Sequence, residues 1–186
     1  MKLTVLQDNL KSAVSLTSHF ISLKAQLPIL ANILLKTDKS RLILSATNLE
    51  TSISTSIGAK VEKEGEITVN GKVLNDLISN LSSGQIELEV LKEQIRITSG
   101  TFKSNILGSN TSDFPTLPNS LGKDSFKLKT KDFTEALNKT LFAVSTDETR
   151  PILTGVLFVF QKGEIRLVST DGFRLTEVVL KTKVEV

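Results

Sequence analysis

One histidine, His19, and no cysteine, tyrosine or tryptophan make up the short stock of catalytic side chains in this 186-residue sequence. Without cysteine there is no thiolate nucleophile, disulfide, iron–sulfur ligand or thiolate zinc site. Acid–base catalysis by imidazole needs a positioned partner. His19 falls at the end of a helical segment with no such partner in sight, so a helix-end or surface role is expected. The carboxylates Asp113 and Asp124, and Asp147 and Glu148, lie in loop-like stretches. Neither paired histidines nor an Asp-x-Asp loop is present to hold a metal. Gly155, Gly163 and Gly172 fit neither phosphate-loop pattern. The expectation is a chain that is not an enzyme, with no catalytic residue, no metal and no cofactor.

Composition agrees with a soluble globular chain: 39% hydrophobic, 23% charged and ten glycines suit one domain plus part of another. No run of 18 apolar residues and no basic stretch leading into an apolar segment occurs, so neither a membrane span nor a secretory signal is expected, and a cytoplasmic location follows. The net charge of +3 is spread without a basic run of five, which argues against a disordered nucleic-acid-binding arm.

The elements that position these residues come in copies. Pro28-Ile29-Leu30 returns as Pro151-Ile152-Leu153, and the same offset of 123 maps Ala13 to Ala136, Thr17 to Thr140 and Thr47 to Thr170. Such self-similarity signals a duplicated domain. The second copy stops midway, so a piece of a longer protein is expected. A weaker echo lies inside the first copy, where Leu3-Thr4-Val5, Leu10 and Val14 reappear as Ile67-Thr68-Val69, Leu74 and Ile78.

Helical spacing predicts three helices. The first runs from Asp8, as N-cap, to Phe20, burying Leu10, Ala13, Val14, Thr17 and Phe20. A second spans Lys72 to Leu81. The third, Lys131 to Val144, buries Phe133, Ala136, Leu137, Leu141 and Val144. Strands are predicted at Arg41–Thr47, Thr51–Ala59, Ile86–Leu91, Gln94–Ser99, Thr101–Leu107, Val156–Phe160 and Ile165–Thr170. The short turns Lys39-Ser40, Lys92-Glu93, Ser99-Gly100 and Lys162-Gly163 suit antiparallel hairpins. Each domain should read strand, helix and three strands, twice over, which is the α+β class. Ser109 to Lys123 breaks both periodicities and reads as a connector, giving domains 1–122 and 123–186.

Four segments carry a family resemblance: Leu27-Pro28-Ile29-Leu30-Ala31-Asn32-Ile33-Leu34-Leu35, Thr47-Asn48-Leu49-Glu50, Asp113-Phe114-Pro115-Thr116-Leu117 and Thr170-Asp171-Gly172-Phe173-Arg174-Leu175. In order and spacing the chain resembles the bacterial DNA polymerase III β subunit, the replicative sliding clamp, over its whole length. The resemblance implies a clamp fold with antiparallel sheets outside and helices lining an inner face. It implies three domains per chain, of which this would be the N-terminal one and half of the central one. It also implies a head-to-tail homodimeric ring that encircles double-stranded DNA without reading its sequence. Such a subunit is a non-catalytic processivity factor of a nucleotidyltransferase holoenzyme.

Residue by residue, the resemblance implies DNA contact by Lys24, and it gives a use to Lys11, Lys72, Lys131 and Lys139 on or beside exposed helix faces. Solvated helix faces would look the same. Leu153, Thr170, Gly172, Phe173, Arg174 and Leu175 would form one wall of a pocket for short linear motifs of polymerase, clamp-loader and repair proteins. Phe173 stands where the family commonly has histidine. Equally, Thr170-Asp171-Gly172 would serve as a plain turn and Leu153 and Leu175 as core. Arg96 and Lys103 would lie at the dimer interface, on a strand edge that needs cover or charge. With half of that interface missing, a monomeric or poorly soluble chain is expected. The alternative is a β-rich protein-binding adaptor that does not hold DNA by topology.

Overall fold

The computed structural model describes residues 1–22, 27–117 and 127–182. It divides into two compact units, Met1–Leu117 and Pro118–Val186. The expected boundary between residues 122 and 123, the end of the connector, Asp124 and Lys24 lie outside the described residues.

Unit 1 runs β1 (Lys2–Leu6), α1 (Gln7–Ser18), a single 3-10 turn (Pro28–Ala31), β2 (Asn32–Asp38), β3 (Arg41–Thr47), β4 (Ser52–Gly58) and β5 (Lys60–Lys63). It continues with β6 (Glu66–Asn70), α2 (Gly71–Ser79), β7 (Gln85–Leu91), β8 (Gln94–Ser99) and β9 (Phe102–Ser109). The strands form one antiparallel sheet in the order β4-β3-β2-β6-β9-β8-β7-β1-β5. Only Ala59 separates β4 from β5, so the chain itself joins the two ends of that order.

Alternation places Leu3, Val5, Ile33, Leu35, Leu42, Leu44, Ile67, Val69, Ile86, Leu88, Ile95 and Ile97 on the inward side of the strands, where they meet Leu10, Ala13 and Val14 of α1 and Leu74 and Ile78 of α2. Each buried Leu or Ile contributes roughly 1.5–3 kcal/mol. Both halves share this single core, so neither is a separate folding unit.

The starts of the helices differ from expectation for a physical reason. Helix α1 begins at Gln7, and its N-cap position is Leu6, without a side-chain cap. Gln7 is buried, with its side-chain amide donating to the carbonyls of Ile78 (2.9 Å) and Leu81 (3.1 Å) at the end of α2. Asp8 is therefore not the cap but a first-turn residue, where its charge still opposes the helix dipole. Helix α2 is capped by Asn70, whose side chain accepts from the Val73 amide.

Unit 2 runs α3 (Thr130–Leu141), a 3-10 turn (Pro151–Thr154), β10 (Leu157–Gln161), β11 (Glu164–Thr170) and β12 (Leu175–Lys181), with the three strands antiparallel in sequence order. Its core centres on Ala136, Ile165 and Leu167. The expected burial of Leu141 is corrected: it is 54% exposed, and the buried positions are Ala136, Thr140 and Ala143. Small residues let the helix approach β11 closely enough for Ser169 Oγ to donate to the Thr140 carbonyl at 2.6 Å.

Five strands without an assigned range in the sequence reading are present, namely β1, β2, β5, β6 and β12, of which β1 and β6 hold the echoed Leu3-Thr4-Val5 and Ile67-Thr68-Val69. In β2 and β12 apolar or β-branched residues fall on both faces, and β5 is only four residues long. The α+β class and the antiparallel hairpins hold as expected.

Candidate functional site

The turn joining β11 to β12 is built from side-chain bonds to its own backbone. Thr170 Oγ1 donates to the Arg174 carbonyl (2.7 Å) and accepts from the Gly172 amide (3.1 Å). Asp171 Oδ1 accepts from the amides of Phe173 (3.0 Å) and Arg174 (2.9 Å). Those amides, Arg174 foremost, hold the Asp171 carboxyl below the usual aspartate range, with help from the Arg174 side chain. Gly172 supplies the left-handed φ of 93°.

This rigid turn presents its side chains outward. Phe173 is 97% exposed and Leu175 68%. Arg174 is tied through Nε to Asp171 Oδ2 at 2.8 Å, and its guanidinium lies 5.5 Å from the centre of the Phe142 ring, a cation–π distance. Phe142 caps the C-terminus of α3. Arg150 reaches the same turn: a Cβ built on Gly172 would lie 3.7 Å from Arg150 Nη1. Leu153, half-buried, donates its amide to the Arg150 carbonyl at 3.0 Å. Thr170, Gly172, Phe173, Arg174 and Leu175 thus lie on one turn, with Leu153 linked to it through Arg150. Arg150 and Phe142 escaped the sequence reading because only the fold brings the α3 end and the residue before Pro151 to that turn. An apolar surface flanked by two guanidiniums can take a peptide with apolar and acidic groups.

The lysines expected to meet DNA are exposed on their helices: Lys11 on α1, Lys72 on α2, Lys131 and Lys139 on α3. Each has a carboxylate three or four residues away: Asp8, Asp76, Glu135 and Glu135 again. Lys139 Nζ lies 2.6 Å from Glu135 Oε1. These faces are charge-balanced rather than positive.

Arg96 lies on β8, between β7 and β9, and pairs with Glu89 at 3.5 Å. Lys103 lies on β9 opposite Thr98. Along Phe102–Leu107, β9 pairs with β8 on one side, and only Gly108 and Ser109 reach β6 on the other. Phe102 is 44% and Leu107 73% exposed there. Lys103 therefore sits on a partly open edge, and Arg96 one strand in from it.

His19 is an exposed residue at the C-cap of α1. Among the described residues, no group of three or more His, Cys, Asp or Glu side chains is arranged to hold a metal. No described helix is long and apolar enough to cross a membrane.

A tandem of one β-α-β-β-β unit, displaying exposed turns and open edges, has the form of a binding scaffold. Residues 1–118 match the DNA polymerase III beta subunit, N-terminal domain, and residues 127–186 its central domain. The chain belongs to the DNA polymerase III beta subunit family. It is 37% identical over its full length to the beta sliding clamp of Synechocystis sp. and 34% identical to that of Rickettsia bellii, covering 50% of each. It spans about half the length of these curated relatives. Among solved structures it superposes on the DNA polymerase III subunit beta of Pseudomonas aeruginosa (TM-score 0.91, 26% identity, 100% of this chain and 51% of that one). The DnaN sliding clamp of Bartonella birtlesii bound to griselimycin is similar (TM-score 0.90, 30% identity, 98% and 50%).

Proposed function

We propose that this chain is the N-terminal and central-domain portion of a sliding clamp, with its domain boundary at residues 122 and 123. In this reading it is a non-catalytic subunit of a replicative polymerase holoenzyme, acting in the cytoplasm as part of a homodimeric ring around duplex DNA. The observation that carries the reading is the pair of consecutive family matches, residues 1–118 and 127–186, over elements that repeat at one offset.

The β11–β12 turn, with Leu153, Thr170, Gly172, Phe173, Arg174 and Leu175, serves as one wall of a pocket for short linear motifs of polymerase, clamp-loader and repair proteins. A similar clamp bound to griselimycin supports a ligand site in such proteins. The open stretch of β9, with Lys103 and nearby Arg96, serves as the subunit edge. Lys24, Lys11, Lys72, Lys131 and Lys139 touch phosphates transiently. With charge balanced on the helices, retention in this reading rests on topology more than on phosphate contact.

Retention on DNA tests the ring. A full-length protein that carries this chain, loaded on nicked circular duplex, should stay bound in high salt and leave once the circle is cut. Indifference to cutting would sink the topological reading. It would favour the adaptor reading. Griselimycin titration tests the pocket: binding that Arg174→Ala leaves unchanged would remove the assignment.

A further inference from the structure

The β3–β4 and β11–β12 turns are built alike and finished differently. Asn48 and Asp171 each hold their turn through Oδ1, which accepts from the amides two and three residues on. A side-chain amide is therefore enough to make the turn. Asp171 adds a second carboxylate oxygen, and Oδ2 accepts from Arg174 Nε at 2.8 Å. At the position of Arg174 the first copy has Thr51, whose hydroxyl donates back to Asn48 Oδ1 at 3.1 Å.

The helix ends show the same contrast. His19 is the C-cap of α1 at φ −72° and ψ −14°, and Phe142 is the C-cap of α3 at φ −68° and ψ −19°. With the backbone matched, only the side chain differs. Phe142 has the Arg174 guanidinium over its ring, 5.5 Å from the centre. Carboxylate, arginine and ring thus come together in unit 2, while Asn48, Thr51 and His19 replace all three in unit 1. Since the first copy forms its turn without them, turn formation does not explain the trio. Nor does stability, because Phe142 and Arg174 are each more than half exposed, where an ion pair or a cation–π contact adds little.

What the trio does is fix a plane. Asp171 holds the guanidinium by its Nε edge, and Phe142 holds it by its face, from a different element. With Nε engaged, Nη1 and Nη2 are the donors left for a ligand, and their parallel N–H groups match the two oxygens of a carboxylate. Arg150 is held more loosely, with Nε 3.7 Å from Asp147 Oδ2.

We propose that Phe142 is a positioning residue of the peptide pocket: with Asp171 it holds Arg174 ready for end-on, two-bond capture of a carboxylate side chain of the bound peptide. The inference rests on the pocket reading above and adds to it the anchor for an acidic group and the ring that orients that anchor. Asp171 balances the charge of Arg174, so preference for a carboxylate depends on the direction of the fork more than on net charge. Loosening the fork should therefore cost the acidic ligand and spare a neutral one.

The test uses a full-length protein that carries this chain and two fluorescein-labelled hexapeptides with amidated C-termini, Leu-Glu-Leu-Glu-Leu-Glu and Leu-Gln-Leu-Gln-Leu-Gln. The Glu peptide should bind more tightly. Phe142→Leu should weaken it about 2–5-fold, the range of an exposed cation–π contact, and leave the Gln peptide unchanged. Phe142→Tyr keeps the ring and should restore the preference. Equal loss on both peptides, no loss on either, or a parent protein that does not prefer the Glu peptide overturns the inference. Griselimycin separates that failure from failure of the pocket: if Arg174→Ala weakens its binding, the pocket stands whatever the hexapeptides do. Should Phe142→Leu unfold unit 2, the parent chain decides by NMR. Cross-relaxation between Arg174 Nε–H and the Phe142 ring protons is expected, and its absence overturns the inference.

Discussion

Thr47 and Thr170, 123 residues apart, make the same two bonds. Thr47 Oγ1 donates to the Thr51 carbonyl (3.0 Å) and accepts from the Leu49 amide (3.0 Å), and Thr170 repeats this with Arg174 (2.7 Å) and Gly172 (3.1 Å). Asn48 and Asp171 repeat each other as well, each accepting from the amides two and three residues on. The turn is therefore a framework that survives change at its tip, from Leu49 and Glu50 in one copy to Gly172 and Phe173 in the other. Side chains at the tip can therefore change without refolding the turn.

Thr47 is buried and Thr170 is not. Valine at position 47 removes the three bonds its hydroxyl makes, with the Thr51 carbonyl, the Leu49 amide and the Ser52 hydroxyl, at a cost of about 1–2 kcal/mol. Thr170→Val should cost under ~1 kcal/mol, since water replaces the lost bond. Denaturant unfolding of the two variants checks the order, and equal losses would contradict it.

The tips differ in strain. Leu49 holds a φ of 76° and is 62% exposed, so it bears the left-handed cost with little burial in return. Leu49→Asn should be neutral or slightly stabilising, while Gly172→Val should destabilise by about 1–2 kcal/mol. Thermal unfolding compared between the two reads the difference directly.

Acid should loosen the β11–β12 turn before it unfolds the protein. The folded-state pKa of Asp171 is depressed by the Arg174 and Phe173 amides. Its contribution is therefore complete above the ordinary aspartate range and is lost as pH falls through the depressed value. Amide exchange at Phe173 and Arg174 should accelerate in that acid window. Asp171→Asn should remove the pH dependence, and its persistence in that variant would rule out this cause.

Gly108 is where β9 crosses from β8 to β6 and so holds the two halves of unit 1 together. A Cβ there would collide with the Ile67 side chain and lie 2.8 Å from the Thr68 carbonyl oxygen. Backbone cannot yield as a side chain can, so Gly108→Ala should cost about 2–3 kcal/mol, measurable as a lowered denaturation midpoint. Gly100→Ala offers a contrast: its Cβ meets nothing within 4 Å, leaving only the cost of φ 58°.

The sequence by itself determined the repeats, because an offset of 123 is visible in residue types and survives as matching element bounds. It also determined the helices and most strands, since periods of 3.6 and 2 record which side of an element meets the core. Arg41–Thr47 and Gln94–Ser99 were legible to the residue. Tertiary structure alone decided what depends on a partner distant in sequence. Gln7 starts a helix because its side chain caps another helix, through a bond to Ile78 that spans 71 positions. Leu141 faces out because Ser169 draws α3 close through Thr140. Phe142 and Arg150 join the β11–β12 turn because folding brings three separate segments to one place. Local pattern records an environment averaged over one element, whereas capping, close approach and convergence are set by elements that the pattern does not contain.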